Sequence, residues 1–76
     1  MIYLEEKMRN DIVAIRKQKK IKQQELAARV GVSRQSIYSI EKGIFKPTVD
    51  TAMKIAKCLG KPVEEIFFLD GETEEK

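Results

Sequence analysis

The side chains best equipped to recognise another molecule fall in residues 23–42, QQELAARVGVSRQSIYSIEK. Arg34 carries a planar fork of N–H donors that matches the paired acceptors on a guanine edge, and Gln35 carries the donor and acceptor pair that matches adenine. Ser39 lies four residues beyond Gln35, on the same side of a helix, with Tyr38 and Lys42 nearby. Covalent chemistry is poorly supplied. The chain has no histidine and one cysteine, Cys58, set between two lysines, and it lacks a glycine-rich phosphate loop. These absences exclude the usual side-chain metal sets, a histidine-based triad and an internal disulfide. An enzyme is not expected, and no cofactor, metal or small-molecule ligand is implied.

Recognition by Arg34 and Gln35 requires a rigid support, and the spacing around them predicts one. Leu26, Ala27 and Val30 share a face of a helix over residues 23–30 that stops at Gly31, the residue that most cheaply turns left-handed. Ser33 is a good N-cap for a following helix over residues 34–42, with Ile37 and Ile40 inward and Gly43 at its end. Two helices joined at such a bend bring their backbones close, so the site facing the bend must be small, and Ala27 occupies it. The pattern is a helix-turn-helix. Burying Ile37 and Ile40 turns Arg34, Gln35, Tyr38, Ser39 and Lys42 outward, on a helix that fits the major groove of a duplex.

The remaining elements supply the core. Met8, Ile12 and Ile15 recur at helical spacing and predict a first helix over residues 8–20, with Lys17, Lys19 and Lys20 near the negative end of its dipole. Pro47 ends the loop after Gly43, and Thr48 caps a fourth helix with Asp50 in its first turn and Val49, Ala52, Met53, Ile55, Ala56 and Leu59 on its apolar face. A fifth, short helix over residues 63–68 offers Ile66 and Phe67. The expected class is all-α, with five helices. Residues 1–7 read as an N-terminal arm, 8–69 as the domain and 70–76 as a disordered acidic tail.

Charge is unevenly divided within a net +3. Residues 1–47 hold eleven Lys and Arg against five acids, a local +6, whereas the remainder carries −3. A basic patch on a small domain is a footprint of polyanion binding. Seventy-six residues leave room for one core. No apolar run approaches the roughly 20 residues that span a bilayer, and no secretory signal follows Met1, so the chain reads as cytoplasmic, without membrane contact.

In this order and spacing the residues resemble the small phage-repressor type of Cro/CI, or Xre-like, helix-turn-helix DNA-binding proteins. The likeness is carried by Arg16, by Gln23-Gln24-Glu25-Leu26-Ala27, by Gly31-Val32-Ser33-Arg34-Gln35-Ser36-Ile37 and by Ile40-Glu41-Lys42-Gly43. Lys46-Pro47-Thr48, Ile55-Ala56 and Glu64-Glu65-Ile66-Phe67 extend it. The resemblance implies a lambda-repressor-like fold in which Arg34, Gln35 and Ser39 read bases in double-stranded DNA. It gives Gln23 a phosphate, held by its side chain and the helix N-terminus. Lys22, Lys42 and Lys46 are expected on the DNA backbone, with Ser33 adding a hydroxyl; Ser36 is a candidate for a phosphate or a base, and Tyr38 for a sugar or a phosphate. Arg16 and Glu41 are implied to pair between the first and third helices. At Lys22 the family often has Thr or Ser as a cap, so the second helix should start about 1 kcal/mol less favourably.

One such helix reads only about four base pairs, so a homodimer is expected, placing two helices on half-sites about 34–36 Å apart. Ile2, Tyr3 and Leu4 before the domain, with Phe68 and Leu69 at its end, either join that dimer, as an added strand pair, or cap the protomer's own core. With no sensing domain in this length, a repressor that occludes a promoter is the expected role. The alternative is a helix-turn-helix interaction module, such as an antitoxin that grips a toxin.

Overall fold

A computed structural model of the chain describes residues 8–69. Four α-helices carry the core: α1 (Ile12–Gln18), α2 (Gln23–Val30), α3 (Arg34–Glu41) and α4 (Val49–Leu59). A strand lies at each end, β1 (Met8–Asn10) and β2 (Phe67–Leu69), and a single 3-10 turn over Val63–Glu65 precedes β2. The strands pair antiparallel, with Met8 opposite Leu69, Arg9 opposite Phe68 and Asn10 opposite Phe67. The Asp11 N–H extends the ladder by donating to the Ile66 carbonyl at 2.9 Å.

The expectation of an all-α, five-helix domain is therefore corrected. The first helix does not begin at Met8: that residue, which shares its apolar spacing, is extended with Arg9 and Asn10, and the chain enters α1 only after Asn10, whose Oδ1 accepts from the Ile12 N–H at 3.1 Å. The fifth helix shrinks to one 3-10 turn because Phe67 and Phe68 are taken into the sheet. Phe68 and Leu69, two of the dimer candidates, pair here with Arg9 and Met8 of the same protomer. Arg9 stacks its guanidinium on the Phe68 ring, 5.7 Å from the centroid. Ile2, Tyr3, Leu4 and the tail over residues 70–76 lie outside the described residues.

All four helices end with the same closure, in which an N–H just past the helix reaches back five residues to a carbonyl of its last turn: Ile21 to Arg16, Val32 to Ala27, Ile44 to Ser39 and Lys61 to Ala56. The closure needs one left-handed residue. Gly31 supplies it at φ 88°, but at the end of α1 the residue is Lys20, at φ 60°. A side chain costs about 1–2 kcal/mol there, and the position instead keeps a cation beside the turn into α2.

The core is a cluster of aliphatic side chains, with Ile12, Leu26, Ile37, Ile55, Leu59 and Ile66 fully buried. On α4 the buried face is Ile55, Ala56 and Leu59, supported by Ala52. Val49 and Met53, expected on that face, are exposed. Thr48 caps α4, its hydroxyl accepting from the Thr51 N–H at 3.1 Å. Thr48→Ala should cost about 1 kcal/mol and lower the melting temperature by roughly 4–8 °C, as a thermal melt followed by circular dichroism will show.

Candidate nucleic-acid interface

The bend between α2 and α3 sets the recognition surface. Ala27 is buried where the helices meet, and the Ser33 hydroxyl caps α3 by accepting from the Ser36 N–H at 3.0 Å. Ile37 and Ile40, at 0% and 2% exposure, anchor α3 from behind. The opposite face is left in solvent, with Arg34, Gln35, Tyr38 and Lys42 exposed and Ser36 and Ser39 half-buried. Lys42 lies over the Tyr38 ring, 5.6 Å from its centroid. Lys22 and Lys46 are exposed at the start of α2 and in the loop after α3.

Behind this face runs a chain of charge-assisted bonds. Arg34 Nη1 donates to Gln23 Oε1 at 3.1 Å, and Gln23 Nε2 donates to Glu41 Oε1 at 2.8 Å. Glu41 Oε2 accepts from Arg16 Nε at 2.9 Å, and Arg16 Nη1 donates onward to the Ile21 carbonyl at 3.1 Å. The Arg16 and Glu41 side chains are 11% and 4% exposed, so both oxygens of a nearly buried carboxylate are used. The link ties α1, α2 and α3 to one another and ends on the Arg34 fork. In the free protein, then, the Gln23 side chain steers Arg34, while the first-turn N–H groups of α2 have no carbonyl partner within the helix.

The sequence reading missed one member of this scaffold. Asn10 Nδ2 donates to the Ile40 carbonyl at 2.9 Å, fastening the end of α3 to β1. An asparagine at the entry to a helix is a signal for a local cap, and that bond exists too, but its reach across 30 residues is invisible in the sequence. Ser33 and Ser36 place their hydroxyls 3.0 Å apart. One proton is spent between them, which leaves one hydroxyl able to donate to a ligand. At the start of α2, the Lys22 N–H donates to Glu25 Oε1 at 3.4 Å, while the ammonium of Lys22 has no lone pair with which to cap.

A helix-turn-helix family model matches residues 12–66, which spans α1 to the 3-10 turn and the residue after it. The chain belongs to the Xre/Cro-like helix-turn-helix family. A helix-turn-helix relative from Methanothermobacter thermautotrophicus, an uncharacterised transcriptional regulator of that type, is 47% identical over 64 residues, covering 83% of this chain and 93% of its own. YgzD of Bacillus subtilis, of the same description, is 35% identical over 66 residues, 87% of this chain and all of the relative. The helix-turn-helix fold also matches a crystal structure from Bacteroides fragilis with a TM-score of 0.73 at 23% identity, covering 80% of this chain and 98% of the other. Among the described residues no helix is long and apolar enough to cross a membrane.

Proposed function

We propose that this protein is a cytoplasmic, sequence-specific DNA-binding regulator that acts as a homodimer on a pseudo-palindromic operator and represses by occluding a promoter. The observation that carries the reading is the two-sided character of α3, with Ile37 and Ile40 sealed in the core and Arg34 and Gln35 at the exposed N-terminal end. That is the part of a recognition helix that meets base edges. The names of the relatives, all transcriptional regulators of the helix-turn-helix type, point the same way.

In this reading Arg34 takes a guanine, Gln35 an adenine, and Ser39 a further base. Gln23 at the start of α2, the free hydroxyl of the Ser33 and Ser36 pair, Tyr38, Lys22, Lys42 and Lys46 follow the sugar-phosphate backbone. Selection of bound duplexes from a random pool tests the reading: the expected product is a two-fold motif with half-sites about one helical turn apart. Recovery of no preferred sequence would count against it. Repression is read separately, by a reporter behind the selected site, which should fall as protein is added.

The backbone contacts have their own signature. A dimer with about six to eight phosphate contacts should show log K falling against log salt with a slope of roughly −5 to −7. Lys46→Ala, removing one contact in each half-site, should make the slope shallower by about 2 while leaving the preferred sequence unchanged. An unchanged slope would remove Lys46 from the interface.

A further inference from the structure

Four large apolar side chains are exposed at the start of α4 and in the loop before it: Ile44 (74%), Phe45 (53%), Val49 (76%) and Met53 (60%). Together they present on the order of 400–500 Å² of apolar surface, as large as a whole monomer's biggest patch usually is and more than half of the ~800 Å² each partner contributes to a stable interface. We propose that this face is covered by a second copy of the chain, packed about a two-fold axis. The inference rests on the dimeric reading above and names the surface that makes the dimer.

The charges beside the patch select that occupant. Val49 and Met53 are one turn apart on α4, and the neighbouring row holds Asp50 and Lys54, paired at 3.1 Å. A two-fold axis near Thr51 and Ala52 sets two α4 helices antiparallel. Each Val49 then meets the partner's Met53, and each Asp50 meets the partner's Lys54. An isologous contact must be complementary to itself, and a row with one acid and one base at matched distances from the axis meets that demand. With Asp50 paired to Lys54 the row is electrically balanced, so it offers a phosphate backbone or an anionic lipid surface no net positive charge.

The same face is tied to the recognition helix. The Ile44 and Phe45 N–H groups both donate to the Ser39 carbonyl, at 3.0 and 3.3 Å, in the last turns of α3. Pairing through this loop therefore fixes each α3 relative to the axis, and so sets the half-site spacing.

Sedimentation equilibrium of the full chain tests the proposal. The unaltered protein should dimerise, and Val49→Asp with Met53→Asp should raise the dimer dissociation constant about hundredfold or more. Both positions are exposed, so the circular dichroism spectrum should not change. Asp50→Lys alone and Lys54→Asp alone should each self-associate at least about tenfold more weakly, and an equimolar mixture should recover a heterodimer. Each single variant lacks the pair within its own helix, so recovery reports contact between chains. A monomeric wild type, or a mixture no tighter than its components, overturns the proposal. A Val49→Asp, Met53→Asp dimer that persists and still protects a palindromic site overturns this face while leaving the DNA reading intact. A wild-type dimer that the double variant dissolves, but that selects no duplex sequence, supports the face and defeats the DNA reading.

Discussion

Glu41→Ala is expected to destabilise the chain by about 3–5 kcal/mol, because it strands the guanidinium of Arg16 in a site where that side chain is 11% exposed. For a domain of this size the loss corresponds to a melting point lower by roughly 15–30 °C, enough to leave a marginal fold partly open at ordinary temperatures. Removal of the carboxylate also takes the acceptor from Gln23 Nε2, and through Gln23 loosens the seat of Arg34. Glu41→Gln, which keeps an acceptor but reverses one end of the group, should cost less. Replacing both Arg16 and Glu41 with leucine removes the stranded charge, yet it takes the Arg16 donor from the Ile21 carbonyl and the Glu41 acceptor from Gln23 Nε2. The pair in this fold is thus costly to halve and only partly replaceable by apolar packing. Urea titrations followed by circular dichroism measure all three variants, and a loss under about 1 kcal/mol for Glu41→Ala would mean that the pair behaves as a solvated surface contact.

What could be read from the sequence were the elements whose signals are local. Gly31 and Ser33 mark the two sides of the turn with their own backbone and cap preferences, so α2 and the start of α3 fall where the spacing predicts. β1 was hidden for the opposite reason. Met8 stands four residues before Ile12, which mimics a helix, while the partner that makes it a strand, Leu69, lies at the far end of the domain. Pairing at that separation leaves no local trace. The apolar face of α4 was drawn too wide in a similar way: Met53 is about 100° round the helix from Ala52, outside the row formed by Ala52, Ile55, Ala56 and Leu59 that reaches the core. Hydrophobicity shows that a side chain needs covering. It does not show whether the cover comes from the same chain.

At the recognition surface the residue types were legible, while the bonds that aim them were not. Arg34 and Gln23 are eleven residues apart, and a glutamine at a helix start suggests a phosphate ligand more readily than a brace. The brace matters because an unsupported arginine loses several rotatable bonds' worth of freedom on binding. With Gln23 held by Glu41, part of that ordering precedes DNA.

Arg34→Ala should therefore change selectivity more than any other substitution on this face. A bidentate arginine–guanine contact discriminates by about 1–3 kcal/mol, and a dimer makes it twice, so affinity for the selected site should fall by roughly thirtyfold to ten-thousandfold. Affinity for unrelated duplex at the same salt should fall far less, because that binding comes from phosphate neutralisation. Arg34→Lys separates the two contributions: the charge stays and the fork is lost, so the salt slope should hold while preference relaxes at one position in each half-site. Gln23→Ala should relax the same position more mildly, since Arg34 keeps its donors but loses the Oε1 that orients them. Titrating the selected duplex, its single-base variants and a scrambled duplex against each protein gives the pattern directly. If Arg34→Ala weakens all of them equally, the guanidinium contacts the backbone, and the base-reading role passes to Gln35 and Ser39.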